Sequence, residues 1–217
     1  LKRKYNILAG GIEGISSIGL DFDNTIVCYE DIFQNLAEQN NWIQSEKKLT
    51  KSDIKDKILS LKNGLFKWKT MQSLVYSDLI SSATPMQGVF DFIKKCNNHN
   101  IDFYIVSHKT EYAEITTSGN NLRDMALEWL MKNFAHHKLT LPLDSIYFAH
   151  TREDKINTIR SLNCTYFIDD LEEVLSHSLF PDDVQKILIN GSNNHNFPNS
   201  EIIMKKNWNE IEEYVFG

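Results

Sequence analysis

The sequence predicts an α/β fold: a parallel β-sheet covered by helices on both faces, with a small all-helical unit inserted near its start. Three observations predict it. From residue 85 onward, short apolar runs of strand length alternate with segments whose apolar residues recur at helical spacing, the pattern of a parallel sheet with crossover helices. Between residues 26 and 82 that alternation stops, and only helical spacings remain. Each core strand then ends in polar or charged side chains, at the edge where open parallel sheets bind ligands.

The first strand lies in residues 18–25, IGLDFDNT. A strand directs side chains i and i+2 to the same face, so Asp21 and Asp23 are expected to meet in one small volume with Phe22 turned away. Two carboxylates held together repel, and the arrangement is costly unless a cation, a shared proton or a reacting phosphate uses them. On its own an Asp-x-Asp is also what a turn or a helix N-cap looks like.

Three helices follow. The first carries Ile32, Phe33, Leu36 and Ala37, the second Ile54, Ile58, Leu59 and Leu61, the third Trp68, Met71, Leu74, Val75 and Leu79. Asn63-Gly64 is a stop signal between the second and third. The aromatic residues Phe66, Trp68 and Tyr76 fit a helical core better than a specificity pocket. Pro85 and Gly88 mark the return to the α/β pattern. A helix with Val89, Phe92, Ile93 and Cys96 leads to a strand at 101–107 (IDFYIVS). The stripe Leu122, Met125, Trp129, Leu130 and Phe134 leads to a strand at 145–149 (SIYFA). Ile156, Ile159 and Leu162 mark a short helix before the strand at 165–170 (TYFIDD). A helix over 171–179 and a strand at 184–190 (VQKILIN) come next, then a polar surface loop at 191–200. Ile202, Ile203 and Met204 precede a closing helix over 208–215. The expected organisation is a core of residues 1–27 and 84–217 with a helical insertion at 28–83.

Composition sets the outer bounds. With 217 residues, 41% hydrophobic and 24% charged, the chain suits one core domain plus an insertion. A net charge of -6 and a pI near 5.6 argue against a nucleic-acid partner, which would call for a basic face. Lys47-Lys48 and Lys67-Trp68-Lys69 read as solvated helix faces. Cys28, Cys96 and Cys164 are far apart with no ligand spacing, which predicts reduced thiols in a cytoplasmic protein and neither a disulfide frame nor a zinc site. No stretch approaches the roughly 20 apolar residues of a membrane span. Residues 2–20 have a basic start like a signal peptide, but Glu13 and three glycines interrupt the apolar stretch. Oligomeric state is not legible.

The strand ends supply the chemistry. The first gives Asp21 and Asp23, the second Ser107 followed by His108 and Lys109, the third leads through residues 150–154 to Lys155, and the fourth ends in Asp169 and Asp170. Two unit charges about 4 Å apart repel by roughly 4 kcal/mol at an effective dielectric near 20, so these carboxylates do not all ionise in one pocket without a cation. A hard, all-oxygen donor set suits Mg²⁺ together with a phosphate. The Ser107 hydroxyl and Lys155 ammonium are donors suited to the remaining phosphate oxygens, an arrangement for phosphoryl transfer. His136-His137 has no partner at ligand spacing, and Arg152 reads as a solvated loop residue.

In these motifs the chain resembles the haloacid dehalogenase (HAD) superfamily. Asp21-Phe22-Asp23-Asn24-Thr25 matches the first motif, D-x-D-x-[TV], at every defined position. The strand ending at Ser107 matches the second, Lys155 the third, and the acidic pair Asp169-Asp170 the fourth. The likeness covers the chain outside the helical block, which lies where one HAD class carries a helical cap. It implies a Rossmann-like core and a Mg²⁺-dependent phosphatase acting on a small phosphorylated metabolite such as a sugar phosphate or nucleotide. Asp21 would be the nucleophile that forms an aspartyl-phosphate, and Asp23 the acid and base. Asp21, Asp169, Asp170 and the Asp23 main-chain carbonyl would hold Mg²⁺. Ser107 and Lys155 would bind the phosphoryl group, with Asn24, Thr25 and His108 also placed against substrate. The acid at position 23 favours phosphatase over dehalogenase.

Two alternatives stay open: a phosphomutase or phosphotransferase using the same aspartyl-phosphate, and a non-catalytic binding protein on a HAD core. A signalling receiver domain uses similar groups, but its acidic pair lies on the first strand and its acceptor later, the reverse of the order here.

Overall fold

The computed structural model describes residues 14–115, 119–189 and 201–217. β1 (Ser17–Leu20) is buried at all four positions and lies in the middle of a six-stranded parallel sheet. The other strands are β4 (Asp102–His108), β5 (Ile146–Ala149), β6 (Tyr166–Asp169), β7 (Gln185–Ile189) and β8 (Ile202–Lys205). Their order is β5-β4-β1-β6-β7-β8. The chain therefore builds to one side of β1 and then crosses to the other, so the switch point lies beyond the carboxyl end of β1, between β4 and β6. Open α/β sheets bind ligands at such a crevice.

Alternate strand side chains enter two cores, one on each face. Ile18, Leu20, Ile105, Ile168 and Ile187 pack with helices α4 (Val89–Asn98), α5 (Leu122–His136) and α8 (Trp208–Phe216). Val106, Phe167 and Leu188 pack with α6 (Arg152–Leu162) and α7 (Glu172–Leu175). Gly19 has a steric reason: a Cβ there would overlap the Phe167 ring on the neighbouring β6.

The segment between β1 and α4 holds three helices: α1 (Glu30–Gln39), α2 (Lys51–Leu59) and α3 (Gly64–Tyr76). They share a small core of Phe33, Ile54, Ile58, Trp68 and Met71, with Phe33 stacked on Trp68 at 5.0 Å between ring centroids. α2 starts at a capping box in which the Thr50 hydroxyl accepts from the Asp53 N–H and the Asp53 carboxylate accepts from the Thr50 N–H. At the ends of the block, β2 (Val27–Cys28) pairs antiparallel with β3 (Thr84–Pro85).

The differences from the sequence reading are local. β2 falls where no strand is expected, because two residues carry no periodicity. The helix expected over 171–179 is a single turn at Glu172–Leu175, after which the chain turns to bring Phe180 and Val184 into the second core. Leu61 and Leu79 lie just beyond their helices, and Asn63 is the left-handed residue that opens α3 (φ 59°). The loop at 191–200 and residues 1–13 lie outside the described residues. The three cysteines are free thiols, and no helix among the described residues is long and apolar enough to cross a membrane.

Candidate active site

Parallel packing brings the carboxyl ends of β1, β4, β5 and β6 to one edge, and the polar residues meet there. Asp21 follows β1, and its N–H donates to the Ile168 carbonyl of β6 (2.9 Å), which ties it to the strand carrying Asp169. Lys155 comes from the first turns of α6, whose start is set by a Thr151–Asp154 capping box. Only 2% exposed, Lys155 donates to Asp21 Oδ1 and to Asp169 Oδ2, each at 2.6 Å. Two charge-assisted bonds are what allow so buried an ammonium.

Carboxylate oxygens of Asp21, Asp169 and Asp170 lie within 4.8 Å of one another. Asp169 Oδ1 also accepts from the Leu171 N–H (2.8 Å), and Asp170 Oδ2 accepts from the Asn24 side-chain amide (3.1 Å). Asn24 reaches it from a left-handed conformation (φ 59°), which asparagine tolerates. Burial pushes the Asp21 carboxyl well up; Lys155 opposes this, while Asp169, Asp170 and Asp23 add to it. Burial and then Asp169 push Asp170 up to about 7. A buried cluster of oxygens in which desolvation and then mutual repulsion favour protonation is a fit for a hard divalent cation, and Asp21, Asp169 and Asp170 would hold it.

Asp23 is handled separately. Phe22 is buried between the two aspartates, as the alternation requires. But β1 ends at Leu20, and Asp23 belongs to a tight turn in which Ile26 and Val27 N–H groups both donate to the Phe22 carbonyl. The Asp23 carboxylate is not part of the acidic cluster. Lys109 Nζ sits 3.0 Å from its Oδ2, and the Tyr29 hydroxyl donates to Oδ1 at 2.6 Å. Burial pushes Asp23 up, but Lys109 and Tyr29 outweigh it and hold the carboxyl below its ordinary value. Both carboxylates line one cleft and Asp23 adds to the upward push on Asp21, but each has its own lysine.

Ser107 is fully buried, and its Oγ has no hydrogen-bond partner among the described residues. Thr25 is likewise fully buried, and its Oγ1 has no hydrogen-bond partner among the described residues. Its carbonyl accepts from Trp208 Nε1 (3.0 Å), which fixes the backbone of the turn against α8. His108 does line the cleft, with Nε2 donating to the His150 carbonyl (3.0 Å). Arg152 pairs with Glu173 (2.7 Å), and His137 stacks on Phe90. Trp68 and Tyr76 line the cleft as well as packing in the helical core, whereas Phe66 is 63% exposed.

Sequence reasoning missed Tyr29 and Lys51, and left Lys109 unassigned. Lys109 carried one signal, its place two residues after Ser107. Tyr29 carried none, because its partner is decided by the turn at 22–27.

The cleft above this edge has a volume of about 1340 Å³, walled by the sheet edge on one side and by α2 and α3 on the other.

No protein-family model and no curated protein sequence matches the chain. Solved structures do match over nearly the whole length. A candidate HAD hydrolase from Bacillus subtilis, bound to magnesium, has a TM-score of 0.57 at 11% identity, covering 94% of this chain and 99% of that one. A HAD-superfamily hydrolase from Ehrlichia chaffeensis has a TM-score of 0.51 at 16% identity, covering 94% and 98%. A candidate β-phosphoglucomutase from Thermotoga maritima has a TM-score of 0.54 at 13% identity, covering 93% and 98%. The fold of this chain is thus the Rossmann-like fold of HAD hydrolases.

Proposed function

We propose that this chain, folded as HAD hydrolases are, is a Mg²⁺-dependent phosphomonoesterase that works through an aspartyl-phosphate on Asp21. The observation that carries the reading is the arrangement of four motifs at one sheet edge, with Lys155 bridging Asp21 and Asp169 and with Asp170 completing an all-oxygen cluster.

In the first half-reaction an Asp21 carboxylate oxygen attacks phosphorus, the ester P–O bond breaks, and the leaving oxygen takes a proton from Asp23. In the second, Asp23 takes a proton from water, whose oxygen attacks phosphorus. The bond from phosphorus to Asp21 then breaks and inorganic phosphate leaves. Lys155 opposes the upward push that burial exerts on the Asp21 carboxyl and faces the incoming negative charge. The buried Ser107 hydroxyl finds in a phosphoryl oxygen the partner it lacks. A divalent cation held by Asp21, Asp169 and Asp170, with the Asp23 main-chain carbonyl, would neutralise charge on the phosphoryl oxygens.

Asp23 must be protonated to act as the acid, yet Lys109 and Tyr29 hold it ionised in the resting protein. An arriving phosphate dianion competes for Lys109 and adds negative charge beside Asp23. Both effects raise its pKa at the moment the proton is needed. Residues 28–83 act as a cap over the cleft, excluding water.

A second reading, transfer of the phosphoryl group to another substrate hydroxyl, uses the same first step; the resemblance in fold to a candidate phosphoglucomutase favours keeping it. Hydrolysis of 4-nitrophenyl phosphate with and without Mg²⁺, in wild type, Asp21→Asn and Asp23→Asn, tests the proposal. Both variants are expected to lose at least about 10³-fold in kcat/KM. Persistent turnover by Asp21→Asn would remove the nucleophile assignment, and metal-independent turnover the Mg²⁺ assignment. Following the phosphate into water or into a second sugar separates the two readings.

A further inference from the structure

Beside the motif residues the core side of the cleft spends its cations on its own acids: Lys155 on Asp21 and Asp169, Lys109 on Asp23, Arg152 on Glu173, with Lys206 at the rim outside these pairs. The helical block does not. It turns Lys51, Ser52 and Lys55 of α2 toward the cleft, and the acid it contributes to that wall is Glu30, at the start of α1. Among the described residues neither Lys51 nor Lys55 forms an ion pair.

Lys51 is in an unfavourable place for a purely structural lysine. It is the first residue of α2, where the helix dipole disfavours a cation. Its ammonium lies over the rings of Phe33 (5.7 Å) and Tyr76 (5.5 Å). The Lys109 ammonium lies over the same Tyr76 ring at 5.3 Å, so a lysine of the helical block and a lysine of the core share one aromatic ring. Burial alone would favour the neutral amine, but Tyr76, Asp170 and Asp23 outweigh it and keep Lys51 charged.

The phosphoryl group already has Lys155, Ser107 and a cation site on the core side. The cleft, at about 1340 Å³, exceeds the roughly 300–1,000 Å³ of ordinary small-ligand pockets, so volume alone is a weak filter. Charge on the opposite wall is a stronger one.

We propose that Lys51, supported by Lys55 one turn along α2, binds a second anionic group on the leaving-group side of the substrate. The site then selects phosphomonoesters whose alcohol carries a carboxylate or another phosphate over those whose alcohol is neutral. This rests on the phosphomonoesterase reading of the same site.

The test is kcat/KM on two matched pairs, glycerol 3-phosphate against 3-phosphoglycerate and fructose 6-phosphate against fructose 1,6-bisphosphate, with 4-nitrophenyl phosphate as reference. Wild type is expected to prefer the charged member of at least one pair; the first pair reports a carboxylate, the second a phosphate. Lys51→Gln is expected to reduce that preference roughly 10- to 100-fold, mainly through KM. Lys51→Arg retains most of it, Lys55→Gln loses part, and Lys57→Gln, exposed on α2 away from the cleft, retains it in full. If Lys51→Gln fails to fold, the Lys51→Arg and Lys55→Gln results decide. Hydrolysis of the aryl phosphate with no preference in wild type, or a preference untouched by these substitutions, overturns the inference alone. Failure of wild type to hydrolyse any of these esters with Mg²⁺ removes the parent reading as well.

Discussion

Lys109 and Asp23, 86 positions apart in the chain, form a part-buried ion pair at 3.0 Å, and Lys109 is held in place from behind. Arg123 Nε of α5 donates to the Lys109 carbonyl at 2.9 Å, while Phe22 and Tyr76 flank its ammonium. The second aspartate of the motif thus has a dedicated counter-charge distinct from the Lys155 that serves the first.

Breaking that pair should cost stability in a pH-dependent way. Asp23 is held below its ordinary value of 3.8, so the folded protein binds this proton less tightly than the unfolded chain. The resulting stabilisation is complete above the unfolded value and lost as pH falls through the folded one. Lys109→Met is expected to destabilise by about 2–4 kcal/mol at pH 7 and by less at pH 3 in urea titrations. Equal losses at both pH values would mean that Lys109 contributes packing alone.

Ser107→Ala should separate activity from stability. The hydroxyl is buried without a partner, and replacing an orphaned polar group by an apolar one is neutral or stabilising. Thermal unfolding is therefore expected to be unchanged or to move upward. Activity on an aryl phosphate is expected to fall about 10- to 100-fold, as for loss of one donor to a transferring group. A large drop in thermal midpoint would contradict the first expectation.

Mg²⁺ should stabilise more at pH 8 than at pH 5. Without metal, Asp21 and Asp170 hold protons more tightly folded than unfolded, Asp170 with a pKa of about 7. Stability of the metal-free protein therefore declines as pH rises from about 4 toward 7. Metal binding needs the ionised carboxylates and reverses that loss. At 100 times its Kd, Mg²⁺ is worth about 2.7 kcal/mol, or roughly 5–10 °C in Tm for a chain of this size. Calorimetry at the two pH values reads the difference; an equal shift at both would exclude these carboxylates as the site.

Gly19→Ala should disturb the site from beneath. The added methyl meets the Phe167 ring, and the Lys155 ammonium lies 5.6 Å from the centre of that ring. An overpacking cost of about 1–3 kcal/mol is expected in denaturant titrations, together with a fall in kcat. Unchanged kcat would place the ring's movement away from Lys155.

What could be read in the sequence follows from range. The strands and Asp21, Ser107, Lys155, Asp169 and Asp170 were legible because apolar runs mark strands and parallel strands deliver their ends to one edge. The division of labour between Lys155 and Lys109 was not, because it depends on which loop descends beside which. The same holds for Tyr29, whose hydroxyl reaches Asp23 only because the turn at 22–27 folds back on Phe22. Lys51 faces the cleft because three helices pack around Phe33 and Trp68, and helical spacing alone does not say which polar face of α2 looks inward.

β2 and β3 set the entry and exit of the helical block side by side, Val27 opposite Pro85 and Cys28 opposite Thr84. A segment whose ends meet can change length at little entropic cost, about 0.6 kcal/mol per doubling for a flexible loop. The sheet need not be rethreaded when such a block is lengthened, shortened or exchanged. On the proposed reading of the site, reactivity would reside in the sheet edge and substrate choice in a block that can be exchanged without it. The Tyr76 ring, in contact with Lys51 of the block and Lys109 of the core, is one place where a replacement block would have to be refitted.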